Sequence, residues 1–328
     1  MAAGFKSATV RAADVPATQT DFPSYVDLAR IGITTLAEAQ SVRVYADSAK
    51  TTEWAREIVS LTEMHVKVPS LTSTVVMYVD WDGVRADYAV TDTYGARNVW
   101  TQYEAVYHFE NNANSSTAIG NPTSISGATF VAAAGKLAGN GIRFSGSPAK
   151  FNTGNVFPAT VNGSITSWFN YSGALGGFIG NNTKGANAGN LSTAYNTSGH
   201  MRTEYYRNNP TFVTWNTTDS STDRTDGTWQ KVDGTKVSSA LNIYAQGVLK
   251  TSASNSAIVA GGVLYVNQTN TPVDLDELRI ASIALSANWI TTEYNNQNDE
   301  ATFWGTWSDA GGGGSPAQAA RRGAVMMG

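Results

Sequence analysis

The chain has no cysteine in 328 residues and only three histidines. The first absence excludes disulfides and thiolate metal centres, so the fold must rest on its buried core. The histidines, His65, His108 and His200, stand far apart in unrelated contexts, and no short spacing joins them into a metal motif. Structural or surface roles are expected for all three. Charge is also scarce: 15% of residues are Asp, Glu, Lys or Arg, with a formal net charge of -4. A basic patch is missing, which argues against a nucleic-acid partner. No run reaches the roughly 18 apolar residues of a membrane span. The opening MAAGFKSATVRAADVPATQT lacks an apolar h-region, so no secretory signal is expected. G-x-S-x-G, P-loop and dinucleotide fingerprints are absent. The glycine-rich GALGGFIG (173–180) is followed by no helix that could offer an anion-binding N-terminus.

What remains is 41% hydrophobic and 10% aromatic, rich in Gly, Asn, Ser and Thr. Many short apolar runs broken by turn residues predict an all-β protein. Residues 1–98 read as a small β module, with strands in FPSYVDLARI (22–31), SVRVYAD (41–47), MHVKVPSL (64–71) and STVVMYVDW (73–81). TTLAEAQ (34–40) fits one helical turn, and Asp82-Gly83 marks a turn. Residues 99–309 have a different texture, with strands recurring at short spacing, among them YEAVYHFE (103–110), GSITSWFNY (163–171) and GGVLYVNQ (261–268). LNIYAQGVLK (241–250) predicts a hairpin turning at Gln246-Gly247. About ten such strands suggest a two-sheet jelly-roll sandwich that holds its own core. In ALSANWITTEYNNQ, Ser286 fits an N-cap, with Leu285 and Ile290 as a hydrophobic staple. This one short helix is expected as a lid on a sheet edge. Residues 310–328 form a Gly-rich C-terminal tail, expected to dock on another subunit through Arg321, Arg322, Val325, Met326 and Met327.

DGTWQKV through LNIYAQGVLK (226–250), followed by DELRIASIALSANWITTEYNNQ (276–297), resembles the concanavalin-A-like lectin and laminin-G-like jelly rolls. The first 100 residues resemble a small β module of unknown function that often precedes such a jelly roll, through DFP, VKVPSL, VDWDG and the TYGARNVW…AVYHFE junction. The pairing is frequent in tailed-bacteriophage virion proteins and bacterial surface proteins. The resemblance therefore implies a virion protein made in the host cytoplasm, a tail, baseplate or capsid-surface appendage. Its partners would be other virion subunits, further copies of itself and host-surface polysaccharide. A purely structural decoration or connector protein is the alternative, and a bacterial surface adhesin the third reading.

VDLDELRI (273–280) carries Asp274, Asp276 and Glu277, a density of acids that suggests a glycosidase. Jelly-roll glycosidases of the endoglucanase kind place three acids at i, i+2 and i+4 of one strand, because only that spacing aims all three into one cleft. Here those positions hold Asp274, Asp276 and Leu278, and Glu277 is expected on the opposite face. Asp276 would share its face with Leu278 and Ile280 and bond turn amides, so no enzyme is expected. Laminin-G-like domains often carry a calcium rim, for which Asp219, Asp223, Asp226 and Asp276 are the candidates, without ordered ligand spacing. No other cofactor is expected. Glycan contact would use stacking rings beside amide and guanidinium groups, and Tyr205, Tyr206, Arg207, Asn208 and Trp215 supply them. Burial in the sandwich core or a subunit interface is the more ordinary fate of such rings.

Overall fold

Alternation decides the first strands. In Val76–Trp81 every second residue, Met77, Val79 and Trp81, is buried while its neighbours are half-exposed. The computed structural model describes residues 3–118, 121, 124–137, 139–145, 149–160, 162–171, 177–180, 190–195, 201–206, 213–214, 227–238, 240–254, 260–268 and 273–311. It is an all-β protein, as expected, and the described residues place its strands in four sheets of five, eight, seven and three.

The five-stranded sheet pairs Gly4–Thr9 with Val76–Trp81 on one side and with Ser308–Asp309 on the other. The three-stranded sheet is Gln19–Asp27, Glu63–Leu71 and Arg56–Ile58. Helix α1, Leu36–Gln40, is the single turn expected at 34–40, closed by a capping box between Thr35 and Glu38.

The eight- and seven-stranded sheets form the sandwich, with Asn190–Tyr195 and Met201–Tyr206 lying over Trp229–Val237 and Ala240–Ala245. At the centre of the eight-stranded sheet is Val273–Ala281. Asn162–Tyr171 pairs along one of its edges, while Gly141–Phe144 and Ala105–Tyr107 share the other. The Gln246-Gly247 hairpin forms as predicted, with φ of 51° and 75° at the two turn residues. A Cβ on Gly247 would lie 2.8 Å from the Cβ of Tyr294, so the turn also needs glycine for its close contact with the helix.

Helix α2, Ala287–Asn298, starts on Ser286, whose hydroxyl accepts from the Trp289 amide at 3.1 Å. The staple residues Leu285 and Ile290 are buried. The lid reading is corrected, because α2 is wedged between the two regions and buries residues on both flanks. Trp289 packs on Phe22 with ring centroids 5.1 Å apart, and Asn296 exchanges two hydrogen bonds with the Tyr25 backbone. On the sandwich side, Trp168 Nε1 donates to Gln297 Oε1 at 2.7 Å. A second short helix, α3 (Glu300–Phe303), continues it.

Two apolar clusters result among the described residues. One fills the sandwich with Phe144, Ile165, Phe169, Ile243, Leu275 and Leu278 among others. The other runs from Ala8, Phe22 and Val66 through Trp100 to Trp289, Phe303 and Trp307. It therefore crosses the division expected at 98/99, where the texture of the sequence changes.

Candidate functional site

Between the two clusters lies a patch of buried charge, assembled by strands remote in sequence. Glu63 and His65 stand two residues apart on Glu63–Leu71, so strand alternation sends both to the same face. His108 follows Ala105–Tyr107, and Glu277 comes from Val273–Ala281. All four are buried, and their polar atoms lie within 4.8 Å of one another. His65 Nε2 is 2.9 Å from Glu63 Oε1 and 3.8 Å from Glu277 Oε2. His108 Nδ1 is 3.2 Å from Glu63 Oε1 and hydrogen-bonds Glu277 Oε1. The two imidazoles stack with centroids 4.8 Å apart. The sequence sets them in unrelated contexts, and the fold makes them neighbours.

A β-bulge aims Glu277 into this patch. The register with Asn162–Tyr171 steps from Trp168↔Asp276 to Thr166↔Arg279, leaving Glu277 and Leu278 opposite Ser167. Glu277 takes the left-handed backbone conformation, φ 51°. Leu275, Leu278 and Ile280 consequently all enter the sandwich cluster, a spacing that unbroken alternation forbids. This corrects the expected facing: Asp276 does not share a side with Leu278 and Ile280, and Glu277 joins Arg279 on the other side.

Each acid of VDLDELRI has a partner inside the protein. Asp274 forms a fork-to-fork pair with Arg143, at 2.6 and 2.7 Å. Asp276 accepts from the amides of Lys136 at 2.7 Å and Leu137 at 3.2 Å, as a carboxylate bonded to turn amides. Glu277 holds the guanidinium of Arg279, whose Nη1 reaches Glu293 Oε1 at 2.7 Å. Glu293 also accepts from Lys231 at 2.7 Å and from the Tyr103 hydroxyl at 2.9 Å. Lys231 in turn pairs with Asp233. A chain of buried charge thus runs from the three-stranded sheet through α2 into the sandwich. Arg279 also lies over the Trp100 ring, 4.8 Å from its centroid.

Burial and mutual charge set the protonation preferences. Burial works against charge on His108, but Glu277 and Glu57 together outweigh it and raise its pKa well above the imidazole range. Burial holds His65 well below that range. Burial and the neighbouring Glu277 raise Glu63 well above ordinary carboxylates. Burial would raise Glu277 too, yet His108, Arg279 and His65 bring it well below.

The patch borders a polar cleft of about 360 Å³, lined by Glu57, Val90, Arg97, His108, Glu110 and Ser116 among others. On its floor His108 Nε2 is 3.3 Å from Glu57 Oε2. Glu57 is held from behind by the Trp100 indole N–H and the Ser116 hydroxyl.

Of the site residues read from the sequence, Asp276 is placed as above. Asp219, Asp223 and Asp226 lie outside the described residues, as do His200, Arg207, Asn208, Trp215, Arg321, Arg322, Val325, Met326 and Met327. Tyr205 and Tyr206 end the strand Met201–Tyr206, which pairs with Val213–Thr214 at the edge of the seven-stranded sheet. Sequence reasoning missed the Glu63, His65, His108 and Glu277 grouping. Its local signal was Glu-Met-His, an acid and an imidazole at the strand period of two.

No protein-family profile matches the chain, and no curated protein matches it. Solved structures are similar at low identity. The binding domain of Paraclostridial Mosquitocidal Protein 1 is 14% identical over 59% of this chain and 52% of its own, with a TM-score of 0.49. The botulinum neurotoxin serotype D binding domain is 15% identical over 60% of this chain and 52% of its own, with a TM-score of 0.47. The chain spans about half the length of these toxin domains. Domain 4 of an extracellular arabinanase from Geobacillus stearothermophilus, solved with arabinotriose, is 20% identical over 58% of this chain and 97% of its own, with a TM-score of 0.48.

Proposed function

We propose that the chain is a non-enzymatic binding protein of a bacteriophage particle, a tail, baseplate or capsid-surface appendage. Its jelly roll contacts host-surface glycans, while the N-terminal region and residues 310–328 attach it to other virion subunits. The observation that carries this reading is the strand position of Tyr205 and Tyr206. Tyr205 and Tyr206 lie on the hairpin formed by Met201–Tyr206 and Val213–Thr214, at the outer edge of the seven-stranded sheet. The acids of VDLDELRI serve cohesion rather than hydrolysis: each is committed to an internal partner and buried.

Binding of the purified chain to a panel of bacterial surface polysaccharides tests the proposal, with Tyr206→Ala and Trp215→Ala as variants. The expected result is saturable binding without release of reducing ends, weakened at least tenfold in both variants at unchanged melting temperature. Binding that survives both substitutions, or variants that both melt far earlier, removes these rings from the proposal. Incorporation into particles without any glycan binding would favour the connector reading.

A further inference from the structure

We propose that Glu63, His65, His108 and Glu277 form a zinc site that ties the N-terminal region to the sandwich. Two imidazole nitrogens and two carboxylate oxygens suit a borderline dication, and the two carboxylates balance its charge. Calcium fits poorly, because it takes about six to eight oxygen ligands. The spacing is right as well. Metal–ligand bonds of about 2.0–2.1 Å in a tetrahedron put ligand atoms about 3.4 Å apart. Glu63 Oε1 lies 2.9 Å from His65 Nε2 and 3.2 Å from His108 Nδ1, near that value, Glu277 Oε1 is closer to His108 Nδ1, and the four ligand atoms lie within 4.8 Å of one another.

The surroundings are those of a metal centre. A ligating histidine normally gives its second nitrogen to a carboxylate, and His108 Nε2 faces Glu57 at 3.3 Å. Ligating carboxylates are themselves held, and Glu277 Oε2 accepts from Arg279 Nε at 3.1 Å. His65 departs from the histidine pattern, since its Nδ1 has no hydrogen-bond partner among the described residues, and its Nε2 is the nitrogen that faces the group. The backbone also bends here. Glu277 and Phe109, the latter next to His108, both hold positive φ, 51° and 60°, which side-chain-bearing residues adopt at a cost. The cleft lined by His108 and Glu57 gives an ion a way in. The competing arrangement is a hydrogen-bonded cluster in which protons alone hold the four side chains together.

The test uses the full chain. Protein stripped with chelator, incubated with zinc sulfate and dialysed is assayed for metal by mass spectrometry and for fold by circular dichroism. About one zinc per chain is expected, with a melting temperature that rises on zinc addition and falls again on chelation. Folded protein that retains no zinc overturns the proposal. In the double variant His65→Gln/His108→Gln, retention should be lost, and a folded variant that keeps its zinc also overturns it. Should that variant fail to fold, zinc-edge X-ray absorption of the wild-type protein decides. A shell with two imidazoles and carboxylate oxygens is expected, and one with fewer imidazoles refutes the assignment.

Discussion

The sandwich interior and the junction beneath it are both fully buried, yet they are built from opposite materials. The sandwich cluster is apolar, formed by side chains such as Phe144, Ile243 and Leu275. The junction packs Glu63, His108, Glu277, Arg279, Glu293 and Lys231 at comparable burial. Apolar packing is non-directional and tolerates volume-conserving exchange. A charged network tolerates little, since each member left without its partner remains a desolvated charge. The first material supplies cohesion within one region. The second fixes how the two regions meet, because the docking must bring Glu63 and His65 of one against His108 and Glu277 of the other.

The largest effect should come from cutting the comparison in two. Residues 99–309 expressed alone would keep the apolar sandwich cluster but lose Glu63 and His65 and uncover Trp289 and Ile290 of α2. The expected product is molten or insoluble, read by circular dichroism and sedimentation. A cooperative melt would show that the sandwich needs no junction and would support the independent domain that the change in texture at 98/99 suggests.

Next come single substitutions on the shared strand. Arg279→Leu strands Glu277 and Glu293 without their guanidinium and is expected to cost about 3–5 kcal/mol in denaturant unfolding. Ile280→Val, one residue along in the apolar cluster, should cost only about 0.5–1.5 kcal/mol. Equal costs would mean that water or an ion already shields the junction charges.

An effect below that of losing Arg279 concerns pH. Burial raises Glu300 from 4.5 to about 7, against the pull of Arg30. The unfolded chain gives up this proton near pH 4.5 while the native state holds it to about 7, so stability falls as pH rises across that window. Below it the group is protonated in both states and contributes nothing. The loss should be at most about 3 kcal/mol, and Glu300→Gln should flatten the slope while keeping an acceptor for Arg30. An unchanged slope in the variant would assign the pH dependence to other groups.

Much of this fold is written locally. Alternation marks Val76–Trp81, the Gln246-Gly247 pair marks its hairpin, and Ser286 with Leu285 and Ile290 marks the start of α2. The helix's environment was not legible. Thr292, Glu293, Asn296 and Gln297 are polar and read as a solvent face, yet tertiary partners bury them. The bulge was hidden for a similar reason, since glycine often marks such a position and glutamate holds it here. The His65 and His108 pairing depends on which strands adjoin across the junction, and strand spacing says nothing of that.

The pairing of Gly4–Thr9 with Ser308–Asp309 has a mechanical side. Lys6 faces Asp309, Ser7 faces Ser308, and the Ala310 amide bonds Phe5 O at 3.0 Å, so residues 3 and 311 lie at the same end of this pairing. Tension between them would peel this short ladder one bond at a time, like a zip, rather than shear it all at once. If both segments are anchored to the same support, a pull on the outer end of the sandwich is shared by two strands of chain. If only one is anchored, the clasp is the first element to yield, and the hydrophobic cluster behind it takes the load.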